Sequence, residues 1–363
     1  MKIPKINFPF FQGGKKTYLG IDIGTSSIKM VELTKDSGVL KLTNYAEISS
    51  PKLEKRFGPL ETSSMQMLNE EIATLIKKTL KEAQIRTRLV SISVPVFSSF
   101  ITTMELPFMT KEEVAQAVSF QARQYIPVPI SEVVLDWTLL KEITDGGPPQ
   151  KIPVLLVAVP QEVIRKYTDI SILCGLQLRA LEVETFSLVR SIIQGDKSTI
   201  CLIDFGSRST NISIIDDGIV RMCRNIETSG GEMTKVLASS LNIDFKRAEE
   251  LKRERGIKKG GGEEEISRIV MPLVDIIFGE IDKLTSIYFQ KNGRRVMKFV
   301  LSGGTAKMPG LVEYFVEKFG REIQIGDPFK GIDYPPVLAP ILREVGPSFA
   351  TSVGLAMREL KND

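Results

Sequence analysis

One short pattern occurs twice in this chain, and it limits the folds open to it more than any other feature. An apolar run from Tyr18 ends on Asp22, Gly24 follows two residues later, and Thr25, Ser26 and Ser27 lead into a second run through Leu33. The later half repeats this: an apolar run from Ile200 ends on Asp204, and Gly206, Ser207, Arg208, Ser209 and Thr210 lead into residues through Ile215. Each copy reads as strand, small-residue hairpin turn, strand. Two copies of one uncommon unit predict two similar lobes facing each other. Strand and helix patterns alternate elsewhere, which predicts an α/β architecture with parallel or mixed sheets.

Between the copies, apolar residues at Ile72, Leu75, Ile76, Leu80 and Ala83 step by three and four, so 70–83 is expected to be an amphipathic helix. Strands are expected at 89–96 and 98–106. Thr110 followed by Glu113 is a capping-box pattern that opens a helix reaching residue 125. Pro127 ends it, because a proline disfavours helix in the residue before it. Strands at 133–141 and 152–159, separated by a turn at 145–149, and a helix at 161–173 complete what reads as an inserted unit. The later half should carry a helical pair at 231–241 and 245–255 and a loop of glycines and acids through Glu265. A long helix at 267–290 and a strand at 298–301 follow. The strand feeds a turn containing Gly303, Gly304, Thr305 and Met308.

Composition removes several chemistries. There is no histidine, which excludes imidazole bases, phosphohistidine and histidine-ligated metals. Three cysteines, Cys174, Cys201 and Cys223, form no C-x-x-C pair, so zinc sites and a disulfide framework are not expected. The net charge is +4, and Lys2, Lys5, Lys15 and Lys16, with no acid among residues 1–16, account for it. The rest is neutral, which argues against a nucleic-acid protein. The tail also carries Phe8, Phe10 and Phe11 and reads as a solvated terminus or a weak membrane-surface or partner contact. No apolar run is long enough to span a bilayer. Cys201 and Trp137 are expected in cores, and Arg86 and Arg88 on the surface.

The repeated turns have the chemistry of a phosphate site. Gly24 and Gly206 let the backbone approach closely, and the hydroxyls of Thr25, Ser26, Ser27, Ser207 and Thr210 supply donors. Asp22 and Asp204 can hold the water shell of Mg²⁺, which keeps several waters and takes one or two carboxylates. Lys29 can add a point charge. Taken singly, each turn is an ordinary tight turn; the pair points to a shared site. Gly303 and Gly304 would let a flat ring lie against the backbone, with Met308 packing on its face.

These motifs resemble the actin-like ATPase superfamily, which includes actin, sugar kinases and FtsA, over nearly the whole chain. The stretch 22–29 looks like its first phosphate motif, 204–211 its second and 301–311 its adenosine motif. The resemblance implies ATP and Mg²⁺ as cofactors, Asp22 and Asp204 as metal-associated residues, and Glu184 as the residue orienting the attacking water at the start of a connecting helix. It also implies a second connecting helix around Gly354, an accessory phosphate loop at Gly230 and Gly231, and a ribose and base grip by Glu249 and Lys252. Within the superfamily the chain is most similar to the PilM family of type IV pilus assembly. The residues that carry this are 22–32, Met104 to Pro107, Gln124 to Pro127, Asp136 with Trp137, and 202–206 with Asn211.

What the PilM resemblance implies is an actin-like fold of two facing lobes with a central cleft and an FtsA-type 1C subdomain. The expected divisions are a tail at 1–16 and 1A at 17–98, completed by 177–197 and 340–363. Subdomain 1C is expected at 99–176, 2A at 198–225 completed by 266–339, and 2B at 226–265. The implied role is a cytoplasmic ATP-binding scaffold at the inner face of the inner membrane. It would hold the N-terminal cytoplasmic peptide of PilN in a groove around 91–125 and meet other pilus platform proteins. Self-association and a peripheral membrane contact stay open. FtsA-type proteins end in an amphipathic membrane helix, and a chain ending at Asp363 is expected to side with PilM. The second motif departs from the superfamily, with Ser207 and Arg208 after Gly206 and Asn211 in place of an acid. That departure leads us to expect firm ATP binding and slow hydrolysis, below about 1 s⁻¹. An FtsA-like filament former and a sugar-kinase-like phosphotransferase remain the alternatives.

Overall fold

A computed structural model describes residues 16–49, 69–140, 151–258 and 264–361. The tail expectation, Lys16 apart, and the expected turn at 145–149 lie outside the described residues.

The two Asp-x-Gly units fold as the central hairpins of two sheets. In the first, β1 (Thr17–Ile23), β2 (Ser27–Asp36) and β3 (Val39–Ser49) run antiparallel. β4 (Leu89–Val94) joins β1 in parallel, and β8 (Gln177–Val183) joins β4. In the second, β9 (Ile200–Phe205), β10 (Thr210–Asp216) and β11 (Ile219–Ile226) repeat the antiparallel meander. β12 (Lys298–Gly303) and β13 (Glu322–Ile325) then repeat the parallel half. The order β3-β2-β1-β4-β8 is thus matched by β11-β10-β9-β12-β13; a two-residue β14 (Ile332–Asp333) extends the first sheet beside β3. Parallel neighbours need long crossovers, which the helices supply.

Two helices lie between the sheets. α4 (Glu184–Ile192) and α9 (Ala339–Lys361) pack on each other, and Ser191 Oγ donates to Ala350 O at 2.8 Å. The approach is so close that a Cβ on Gly354 would lie 1.9 Å from Ser187 O, and one on Gly20 2.0 Å from Ser352 O. No side chain fits at either position. Inside α9, Pro347 lacks the N–H that would close on the carbonyl of Arg343. Lys307 Nζ donates to that carbonyl instead, at 3.0 Å, and Ser302 Oγ donates to Pro347 O at 3.0 Å.

The inserted unit is a three-stranded sheet, β5 (Phe100–Leu106), β7 (Ile152–Pro160) and β6 (Val133–Leu139) in that order, covered by α2 (Lys111–Gln121). The expected capping box is formed: Glu113 N donates to Thr110 Oγ1 at 3.3 Å and Thr110 N to Glu113 Oε2 at 2.8 Å. Val114 and Val118 pack on Met104, Val154 and Leu156, with Trp137 partly buried beside them. The unit also touches the second sheet, where Thr103 Oγ1 donates to Arg221 O at 2.9 Å and Arg221 Nη1 to Leu140 O.

The structure corrects three expectations. α3 (Gln161–Leu173), counted at first with the insert, buries Val163, Tyr167 and Ile170 against Ile72 and Ile76 of α1 (Asn69–Glu82), under the first sheet. The insert's own core ends with β7. The strand expected at 89–96 stops at Val94, because Pro95 turns the chain into a short 3₁₀ turn, Val96–Ser98. Finally, Glu264 and Glu265 are not loop residues; they form the first turn of α7 (Glu264–Asn292), where the positive end of the helix dipole favours acids. The helical pair is present as α5 (Gly230–Leu241) and α6 (Phe245–Arg255), and α8 (Leu311–Phe319) follows β12. Cys201 is fully buried, as expected. Among the described residues no helix is long and apolar enough to cross a membrane.

Candidate functional site

The two turns are superposable in their bonding. Gly24 N donates to Ser27 O at 3.0 Å, and Gly206 N to Ser209 O at 3.1 Å. A Cβ would lie 2.9 Å from Ser27 O at the first glycine and 2.7 Å from Ser209 O at the second. Each aspartate ends its strand beside a serine of the neighbouring parallel strand. Ser93 Oγ, on β4, donates to Asp22 Oδ1 at 2.7 Å, and Ser302, on β12, is the register partner of Asp204. Across the antiparallel ladder, Asp22 faces Lys29 and Asp204 faces Asn211. Lys29 Nζ donates to Ser27 Oγ at 2.7 Å and stands 3.4 Å from Glu47 Oε1.

Glu184, the first residue of α4, sits where the lobes meet. Its Oε2 accepts from Val96 N at 3.3 Å. Burial, then the charges of Asp22 and Asp204, push its carboxyl well above the usual range. Burial and the Asp22 charge raise Asp204 to about 7, and burial raises Asp22 against the opposing pull of Lys29. The three carboxylates therefore share one electrostatic neighbourhood with Lys29 as their cation. Crowded hard oxygens that resist ionisation together suit a divalent cation, which would relieve the repulsion. Among the described residues no three such groups lie close enough to chelate a metal alone, so phosphates and waters would have to complete its shell. Tyr167 was missed by sequence reasoning: it lies in the core, and burial together with Glu184 and Asp22 raises its hydroxyl. Its helical spacing signalled only a core position, Ser93 gave no signal, and Ser302 was marked only as part of the stretch 301–311.

The remaining expected residues divide. Gly303, with φ +88, stands so that a Cβ would lie 2.8 Å from Asp204 Oδ1, while Gly304 faces open space. They are thus joined to the site, and Gly304 leaves room beside it. Thr305 is buried, and its Oγ1 would lie 2.1 Å from a Cβ on Gly230. Gly230 N and Gly231 N donate to Gly206 O at 3.0 Å and Ser207 O at 3.1 Å, so these amides brace the second turn. Lys252 Nζ is buried and occupied, donating to Gly230 O at 2.7 Å and Thr234 Oγ1 at 2.8 Å and pairing with Glu249 at 2.7 Å. Met308 is buried, and a Cβ on Gly256, just past α6, would lie 2.9 Å from its Cγ. The structure thus brings Asp22, Asp204, Glu184 and Lys29 together. Gly230 and Gly231 brace the second turn, and Lys252, paired with Glu249, holds the carbonyl of Gly230 and the hydroxyl of Thr234.

The sequence profile of the family described as "Type IV pilus assembly protein PilM" matches residues 20–360. The chain belongs to the PilM family. A solved structure described as "PilM-PilN type IV pilus biogenesis complex" superposes with a TM-score of 0.81 at 25% identity, covering 95% of this chain and 99% of that one. MreB 5 of Spiroplasma citri bound to AMPPNP gives 0.54 at 12% identity, covering 96% and 98%, a likeness of fold that places the PilM chain among actin-like folds. Cell division protein FtsA of Pseudomonas aeruginosa is 28% identical over 52% of this chain and 49% of its own length. The chain therefore spans about half of that curated relative; for FtsA of Bacillus subtilis the figures are 20% identity, 86% and 78%.

Proposed function

We propose that this PilM-family chain is an ATP-binding scaffold of the type IV pilus inner-membrane platform, with slow ATP hydrolysis. The observation that carries the reading is the convergence of Asp22, Asp204, Glu184 and Lys29 from both lobes onto one neighbourhood flanked by two phosphate-type turns. Gly24, Thr25, Ser26, Ser27, Gly206, Ser207 and Thr210 would meet phosphates, and Lys29 would neutralise them. Gly303, Gly304, Thr305 and Met308 would meet the adenosine. Mg²⁺, held through water by Asp22 and Asp204, would offset phosphate charge. Glu184, with its raised proton affinity, is suited to take a proton from a water. Titration with a fluorescent ATP analogue and Mg²⁺ should give saturable binding, and phosphate release should stay below about 1 s⁻¹. No binding at millimolar nucleotide overturns the reading.

The partner reading is the N-terminal cytoplasmic peptide of PilN, docked around 91–125. It is supported by the PilM-PilN complex among the similar structures and by exposed aromatics in that stretch, Phe108 at 47%, Phe120 at 69% and Tyr125 at 41%. The peptide should bind at micromolar affinity or better, and Phe120→Glu should weaken it at least tenfold. Unchanged binding when all three aromatics become serine removes this placement. The subdomain divisions are proposed as expected from sequence, with 1C closing at Pro160 because α3 belongs to the first lobe's core. The tail lysines are proposed to touch the anionic inner leaflet, which truncation and liposome flotation test. The FtsA likeness favours self-assembly as a second reading, tested by pelleting with and without ATP.

A further inference from the structure

Arg208 stands at the tip of the second turn, where the superfamily pattern is glycine-rich, and its guanidinium carbon lies 4.4 Å from the centroid of the Phe97 ring. The contact joins the lobes: Arg208 lies between β9 and β10, and Phe97 lies in the 3₁₀ turn after β4. That same turn begins with Val96, whose N–H holds the Glu184 carboxylate. Arg208 is exposed, and among the described residues no carboxylate forms a salt bridge with it. It is thus a cation at the lip of the proposed phosphate site with a weak, replaceable partner.

We propose that Arg208 is a triphosphate-selecting residue, latched on Phe97 when the cleft holds no nucleotide and transferred to the terminal phosphate when ATP enters. The proposal rests on the nucleotide reading of the cleft. An exposed cation–π contact strengthens an association roughly two- to fivefold. A charge-assisted arginine–phosphate pair is worth roughly tenfold or more. The phosphate therefore wins the competition, and the ring holds the side chain near the lip until then. A diphosphate, which ends one phosphate short, would leave Arg208 on the ring. The lobe contact at Phe97 would then open with ATP and persist with ADP.

The test is a fluorescence titration with labelled ATP and ADP, in Mg²⁺, of the wild-type protein, Arg208→Ala, Arg208→Lys and Phe97→Ala. Circular dichroism checks that each variant is folded. Arg208→Ala should weaken ATP about tenfold and ADP less than twofold, with Arg208→Lys between. Phe97→Ala should strengthen ATP two- to fivefold, because the guanidinium no longer leaves a partner. Opposite signs at the two ends of one contact are what a purely structural contact cannot give. Equal losses in both variants, or equal losses for ATP and ADP, overturn the selection by Arg208 while leaving nucleotide binding standing. Failure of the wild type to bind either nucleotide overturns the reading of the site and this inference with it.

Discussion

At the turn between β1 and β2 the residue facing Asp22 across the ladder is Lys29, whereas at the equivalent turn between β9 and β10 the residue facing Asp204 is Asn211. The backbones repeat, down to a glycine amide closing on the residue three further on and a serine on the neighbouring parallel strand. The charges do not repeat. The first hairpin carries its own cation, while the second leaves its aspartate to burial and to the field of Asp22, which lifts it to about 7. The two sheets therefore share one frame and differ in the side chain opposite each aspartate. One buried aspartate has a lysine opposite it and the other an asparagine, so a cation across the ladder offsets the first and not the second.

Exchanging those side chains is the strongest way to break the comparison. Lys29→Asn, which makes the first hairpin like the second, should weaken ATP about 100-fold in a fluorescence titration, while Asn211→Ala should change it less than threefold. Similar losses at both positions would show that the hairpins are equivalent after all. Next in size is the response of nucleotide-free protein to pH. The carboxyl of Asp204 holds its proton more tightly folded than unfolded, so its contribution to stability is full below about pH 4. That contribution is lost as pH rises through about 7. Asp204→Asn should remove that loss and stabilise the protein at pH 8 by on the order of 2 kcal/mol in urea unfolding, while abolishing Mg²⁺-dependent binding. Asp22→Asn should gain less, because Lys29 already offsets its charge. Glu184→Gln should lower phosphate release about tenfold with ATP affinity within threefold. The smallest effect belongs to Ser93→Ala, which removes the bond to Asp22 and should cost about 1 kcal/mol in stability.

The repeated Asp-x-Gly unit and the capping box at Thr110 were legible as patterns in the residues, whereas the helix start at Glu184 and the helix around Gly354 were expected only from the actin-like resemblance. What stayed hidden was set by tertiary neighbours. Ser93 and Tyr167 reach the site from a strand and a helix whose sequence reports only that they are a strand and a helix. Lys252 and Glu249 form a legible i,i+3 pair, yet their shared attention to Thr234 and Gly230 depends on how α6 crosses α5. The assignment of α3 failed for the same reason: its apolar face is visible in sequence, but which sheet it covers is not.

Pro347 has a consequence that reaches beyond its own helix. A proline inside a helix is ordinarily a fault, since it strands a carbonyl one turn back. Here the stranded oxygen of Arg343 becomes an anchorage: Lys307, just past the Gly303 and Gly304 turn of the second lobe, grips it, and Ser302 grips the proline's own carbonyl. The helix that fills the back of the first sheet is therefore tethered to the loop that would touch a base. Restoring the N–H with Pro347→Ala would hand the Arg343 carbonyl back to α9 and cut one of those two tethers. The hydrogen bond that the proline removes from the helix is thus replaced by one of the fastenings between the lobes.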